Sequence, residues 1–289
     1  MTVPTISAVV PMFNEHDRIE SCIRALLDQT RPLDEIIIVD NGSTDGSADV
    51  VAALAADEPT IRMISESVPG CYAARASGYD AAVSDVIART DADCRVARDW
   101  AERIEEFFGG EVGAEYAAVT GIVTLYDAPP FEFVDRRARS VPDRFANGGQ
   151  VDGLHGLNHA IRRTAWIAVR DDLTRRQDIW EDLDIAMALG ETGERVYFEP
   201  RLEVASSVRA LRKSPFANRH YVTGGIRTAR ARGDRRRTRV MYLDVLFRTV
   251  GFTGMWLVFR PWDERTKTWK LRRLLQPLDD ARWDVTQER

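Results

Sequence analysis

Two aspartates one residue apart, Asp91 and Asp93 in the run TDADC, stand where a short apolar stretch (DVIART) gives way to an amphipathic one (RDWAERIEEFF). In an extended strand, residues i and i+2 face the same way, so the two carboxylates project together and Ala92 turns aside. Like charges held that close repel unless a cation, a proton or a polar ligand lies between them. The pair therefore reads either as a ligand or cation site or as a solvated acidic loop with a helix cap. A second acidic group, in WEDLD, places Glu181 and Asp182 at the start of a stretch whose Leu183, Ile185, Ala186 and Leu189 form an apolar helical face. Acids in a first helical turn complement the helix dipole, which accounts for their charge without any chemistry.

The elements that must position these groups alternate along the first half. TISAVVPMF is β-rich, and NEHDRIESCIRALLDQT sets Ile19, Cys22, Ile23, Leu26 and Leu27 at helical spacing, with Asn14 and Asp17 placed to cap it. DEIIIVD is a continuous apolar run of the kind buried on both faces, NGSTDGS is a turn cluster, and ADVVAALAAD is a short helix. TIRMIS, CYAARASGYDAAV and DVIART repeat the pattern, and Trp100, Ile104, Phe107 and Phe108 mark another helix face. Such alternation predicts an α/β fold with a mainly parallel sheet and helices on both faces. Ligands of open sheets bind beyond the carboxyl ends of the strands, where Asn14-Glu15, Asp40-Asn41 and Asp91/Asp93 all fall. Further on, YAAVTGIVTLYD reads as a strand bent at Gly121, PPFEFVDRRARSV as a helix, and GLNHAIRRTAWIAV as a strand running into a helix. DIWEDLDIAMALGETG reads as a helix ending near Gly190 or Gly193, and RVYFEP and RLEVASSV as two late strands. No internal repeat appears, and no linker separates two domains before residue 208.

Composition, 44% hydrophobic and 29% charged over 289 residues, is that of a soluble chain able to bury a core. Cys22, Cys71 and Cys94 form no CxxC pair, which argues against a disulfide framework or zinc site and fits a reducing compartment. The first residues, MTVPTISAVVPMFNE, lack the basic and apolar regions of a signal peptide. The net charge of −5 hides an asymmetry: residues 1–200 carry 19 Lys+Arg against 36 Asp+Glu (−17), and residues 201–289 carry 21 against 9 (+12).

Taken in order, VVPMFNE, EIIIVDNGSTDGS, PGCYAARASGYDAA, TDADC, GLNHAIRRTAW and WEDLDIAMAL resemble the successive motifs of family 2 glycosyltransferases, over about residues 5–207. The resemblance implies the Rossmann-like GT-A fold and transfer of a sugar from a nucleoside diphosphate donor, with UDP the expected nucleotide, to an acceptor hydroxyl. It implies a divalent metal, Mn2+ or Mg2+, with Asp93 as its carboxylate ligand and Asp91 near the donor ribose and the metal. Such hard ions take oxygen ligands, combining few protein carboxylates with diphosphate oxygens. By the same resemblance Asp40 contacts the nucleobase, and Pro11, Phe13 and Glu15 line the nucleoside pocket. Arg75 binds the diphosphate, where a guanidinium can pair with phosphate oxygens bidentately. Asn158 lies near the acceptor side of the sugar, Asp182 is the general base, and Glu181 positions that base or the acceptor. One base opposite the leaving group implies single displacement with inversion. The residues alone also allow Asp40 and Asn41 to cap a turn, Arg75 to pair with surface acids, and His155 and His159 to be structural.

No Gln-x-x-Arg-Trp follows the acidic motif, a departure from polymer-making members that implies transfer of one or a few sugars. FANRHY is the nearest fragment, and through it Arg219 or His220 would reach the diphosphate and its metal from a closing loop. A nucleotidyltransferase also combines a doubly wound sheet with metal-binding aspartates, but PMFNEHDR is a poor substitute for its glycine-rich activating loop. The basic run RTARARGDRRRTR, 227–239, raises a nucleic-acid-binding module; the acidic first 200 residues would repel a polyanion, so no nucleic-acid partner is expected. The apolar segment that follows, 240–259, is interrupted by Asp244 and Arg248, and its longest uncharged run, 249–259, falls short of a bilayer span. A basic flank beside an apolar, aromatic-bearing segment is the pattern of a helix or helix pair lying in an anionic membrane interface. The alternative is a helix packed on the core or on a second subunit. The chain thus divides into a catalytic domain, 1–207, and a basic helical extension, 208–289. The interfacial reading places it in the cytoplasm, peripheral on the inner face of the plasma membrane, with a glycan or lipid-linked acceptor.

Overall fold

The apolar runs fold as strands because β-branched side chains suit a pleated surface covered on both sides. A computed structural model describes residues 3–131, 139, 141–263 and 266–276. Apart from short 3-10 turns, the first half runs β1 (Ile6–Met12), α1 (His16–Leu27), β2 (Glu35–Asp40), α2 (Ser47–Asp57), β3 (Ile61–Ser65), α3 (Cys71–Ala81), β4 (Val86–Arg89), β5 (Cys94–Val96) and α4 (Trp100–Gly109). Then come β6 (Ala118–Leu125), β7 (Gly149–Val151), β8 (His159–Arg162), α5 (Arg163–Val169), α6 (Glu181–Glu191), β9 (Val196–Ser206), α7 (Arg219–Ala231) and α8 (Arg235–Phe259). A small hairpin, β10 (Trp262–Asp263) and β11 (Thr268–Trp269), follows.

Among the described residues nine strands form one mixed sheet in the order β3-β2-β1-β4-β8-β6-β9-β5, with β7 also paired to β9. The β3-β2-β1-β4 half and the β6–β9 pair are parallel; β8, β5 and β7 run antiparallel to their neighbours. Alternate residues of β1 enter two apolar layers. Ile6, Ala8, Val10 and Met12 meet α1 and α4, and Val9 joins the layer of α3, α5 and α6. The doubly covered α/β sheet expected from the sequence is thus present. Between β1 and β4 the strand order reverses, and a crevice opens beyond their carboxyl ends.

Several local expectations change. RVYFEP and RLEVASSV are one strand, β9, because Pro200 falls in a bulge: β6 resumes at Ile122 against Glu203 after Thr120 against Phe198. There a missing N–H breaks no ladder bond. The bend expected at Gly121 sits at this bulge, where an added Cβ would lie 2.0 Å from the Leu202 carbonyl oxygen. Neither Asn14 nor Asp17 caps α1; the cap position is Glu15, without a side-chain bond. Asn14 instead takes a φ of +53° and accepts a bond from the Thr44 N–H at 2.8 Å, tying the loop after β1 to the loop after β2. The helix expected in PPFEFVDRRARSV falls largely on 132–138 and 140, outside the described residues. Residues 240–259 belong to a single unbroken helix of 25 residues, α8, in place of a possible helix pair.

Candidate active site

The TDADC segment is a tight turn, not extended strand: the Cys94 N–H donates to the Asp91 carbonyl at 2.9 Å. Ala92 is buried, as expected, but the two carboxylates meet different cations. Asp91 accepts from Arg89 at 2.8 Å and lies 3.7 Å from Arg75. Asp93 lies 3.5 Å from Arg209, which also bonds Glu15 in the loop after β1. Arg209 comes from a 3-10 turn, Val208–Arg212, past the segment that carries the motifs. The boundary drawn at 207/208 therefore passes through the site.

At the start of α6, Glu181 and Asp182 take opposite roles. Glu181 is buried, accepts from Arg75 at 2.7 Å and lies 3.9 Å from Arg89. Burial pushes its carboxyl up from the ordinary value, against the opposing pull of the two arginines. Asp182 is half-exposed; its Oδ2 accepts the Gly156 N–H at 3.0 Å and its Oδ1 the Leu183 N–H at 2.9 Å. A Cβ on Gly156 would stand 3.1 Å from that Oδ2, so glycine permits the backbone to approach and orient the carboxylate. The third acid, Asp184, is fully buried and spent on Thr174 and Arg232.

Pro11, Phe13, Glu15, Arg75, Asp91, Asp93, Glu181 and Asp182 all line one cavity of about 570 Å³. The other expected residues do not. Asp40 is next in the chain to Asn41, which does line the cavity, and one Asp40 oxygen accepts the Ser43 N–H at 3.1 Å, as a turn cap. Asn158 is corrected to a structural residue. It is fully buried, donates to the Ile122 and Leu202 carbonyls at 2.8 and 2.9 Å, and accepts from the Trp100 indole at 3.0 Å. Those bonds use both amide hydrogens on carbonyls at the β6–β9 bulge, and the buried side chain is not on the cavity wall. Arg219 lies over the Phe216 ring and donates to the Phe216 carbonyl at 3.0 Å, and neither it nor His220 reaches the cavity wall. FANRHY instead supplies Asn218 and Tyr221 to the wall, and Lys213 just before it does the same. His159 is structural, fully buried with Nε2 2.9 Å from the Tyr79 hydroxyl, and burial lowers its pKa to about 3.

Two arginines escaped the sequence reading. Arg89 carried a usable signal: a charged residue in an apolar strand, two positions before Asp91 and hence on its side. Arg209 carried none, being 194 residues from the Glu15 it bonds. Five wall carboxylates face Arg75, Arg89 and Lys213 in the wall and Arg209 behind Glu15 and Asp93, an excess of one negative charge when all are ionised.

The glycosyl transferase family 2 model matches residues 7–165, more than half of the chain, and the match ends in the strand-to-helix unit β8–α5. The chain belongs to glycosyltransferase family 2. Glycosyltransferase AglE of Haloferax volcanii is 32% identical over 186 residues, covering 63% of this chain and 56% of AglE. The chain thus spans a little over half the length of this curated relative. Among solved structures, mannosyltransferase PcManGT from Pyrobaculum calidifontis, in complex with GDP-Man and Mn2+, superposes with a TM-score of 0.63 at 20% identity, over 88% of this chain and 73% of that one. S. aureus TarS 1-349 with UDP-GlcNAc gives a TM-score of 0.57 at 13% identity, over 88% of this chain and 71% of the other. The family 2 chain therefore has the GT-A fold, with a helical C-terminal segment added to its sheet.

Proposed function

We propose that this family 2 member is an inverting glycosyltransferase that moves one sugar from a UDP-sugar to an acceptor hydroxyl on a glycan or a lipid-linked sugar. The observation that carries the reading is the opening of Asp91, Asp93 and Asp182 onto a single cavity. Phe13 and Pro11 border the nucleoside. Arg75 and Arg89, on the carboxylates beside the diphosphate, and Lys213 supply positive charge. The acceptor O–H gives its proton to Asp182 as its oxygen attacks the anomeric carbon. The bond from that carbon to the diphosphate breaks, and the nucleoside diphosphate leaves from the opposite face. Glu181, locked by Arg75, holds the helix start that aims Asp182.

The residues fit a divalent cation. Asp91 and Asp93 offer hard oxygen donors on the cavity that the diphosphate would enter. Burial pushes the neighbouring Cys22 and Cys94 thiols up, and a hard ion takes carboxylate oxygen in preference to sulfur. Bound Mn2+ or Mg2+ would offset the charge that develops on the leaving group. The test is nucleotide release from a panel of UDP- and GDP-sugars with Mn2+. UDP release is expected; pyrophosphate release from a sugar phosphate and a nucleoside triphosphate would favour nucleotidyl transfer instead.

A further inference from the structure

We infer that the outward side of α8 is an interfacial surface that seats this chain on an anionic lipid bilayer. By length and composition Arg235–Phe259 is the one helix among the described residues able to cross a membrane, and 6% of its most apolar window is buried. Its inner side, however, is tied at intervals along its course to α7 and to the catalytic unit. Met241 abuts Gly225, Arg248 stacks 4.5 Å from the Trp180 ring centre, Phe252 packs 5.7 Å from Tyr221, and Phe259 joins Val208 in a buried cluster. A helix so attached lies along the protein surface and does not thread a bilayer.

The outer side has the chemistry of a buried face without a cover. Leu243, Leu246, Phe247, Val250 and Leu257 are all more than half exposed. The only charges between Val240 and Phe259, Asp244 and Arg248, bond each other, and Arg248 is held over Trp180 on the packed side. The outward Thr249 and Thr253 hydroxyls donate back to the Val245 and Thr249 carbonyls at 2.7 Å each, so neither donor needs water.

Charge selects the occupant. Arg235, Arg236 and Arg239 are exposed in the first turns of α8 and form no ion pair among the described residues. Three cations at a helix N-terminus oppose the helix dipole, a cost that anionic headgroups would offset. By contrast Arg227 and Arg232, from the same basic run, are absorbed inside by Asp178, Asp184 and Glu191. Phe252 sits on this helix and lines the cavity. Seated on a bilayer, the cavity draws its acceptor from the membrane plane; that step alone rests on the glycosyltransferase reading.

The test is vesicle flotation of the full chain with phosphatidylcholine alone and with phosphatidylglycerol added, at low and high salt. Binding to the anionic vesicles is expected, weakened by salt and released by an alkaline carbonate wash. Neutralising Arg235, Arg236 and Arg239 to Gln should lower partitioning about a hundredfold, at roughly 1 kcal/mol per arginine. A triple variant, Leu243→Glu with Phe247→Glu and Val250→Glu, should not float at all. Both variants should bind UDP with Mn2+ as the parent does, which separates failure of this surface from failure of the catalytic reading and controls for folding. Retention after the alkaline wash, undiminished flotation of the triple variant, or tight binding of duplex DNA in place of vesicles would overturn the inference. So would a stable dimer that the triple variant converts to monomer.

Discussion

Replacing Arg89 by Met leaves two carboxylates without their shared buried cation. The Arg89 guanidinium is fully buried, 2.8 Å from Asp91 and 3.9 Å from Glu181. At an effective dielectric of about 20, unit charges about 4 Å apart interact by about 4 kcal/mol. Arg75 remains on Glu181, and its repulsion with Arg89 is relieved, so we expect a net loss of about 2–3 kcal/mol at neutral pH. The sign with pH follows from the carboxyls. Without Arg89 the Glu181 carboxyl, already raised by burial, rises further in the folded state. A carboxyl whose folded pKa exceeds its unfolded one costs stability above the unfolded value, and the cost fades as protons return on acidification. Urea unfolding followed by tryptophan fluorescence should therefore show a gap between parent and Arg89→Met that narrows from about pH 8 to about pH 5. Adding Glu181→Gln should close much of the gap at the higher pH. A variant as stable as the parent at neutral pH, or a gap that widens on acidification, would refute this electrostatic account.

Asp182→Asn keeps the shape but not the proton acceptor, so nucleotide affinity should persist while transfer falls by roughly 10²–10⁴; full activity in that variant would place the base elsewhere. His159, whose pKa burial lowers from 6.5 to about 3, must stay neutral to remain folded. The unfolded chain then binds the extra proton, and stability drops by about 2 kcal/mol between neutral pH and about pH 5. That part of the pH slope should be missing from unfolding curves of His159→Gln. Gly121→Ala sets a Cβ against the Leu202 carbonyl and should lower the unfolding midpoint more than a surface Gly→Ala change such as Gly190→Ala.

Much of the frame was legible because its signals are local. The apolar run of β2 and the helical spacing of Ile19, Cys22, Ile23 and Leu26 each report a buried face within a few residues. The motif order brought eight of the expected side chains to one cavity. What stayed hidden depends on distant contacts. Asn158 looks like a site residue in sequence, yet the carbonyls it satisfies belong to a bulge formed by β6 and β9. Asp91 and Asp93 sit in a turn and not a strand because one backbone bond closes between Asp91 and Cys94. Arg209 reaches Glu15 and Asp93 only after the sheet is complete and the chain returns past β9. The single long α8 was obscured by Gly251, Gly254 and two charges that pair with one another inside it.

The central claim is that Asp91 and Asp93 form a cation-assisted nucleoside diphosphate site. Calorimetric titration of UDP into the full chain, with Mn2+ and with a chelator, tests it most directly. The account predicts binding at least about tenfold tighter with Mn2+, equivalent to about 1.4 kcal/mol, and loss of that gain in Asp93→Ala. Equal affinity with and without Mn2+, or a Mn2+ gain that survives in Asp93→Ala, would contradict it.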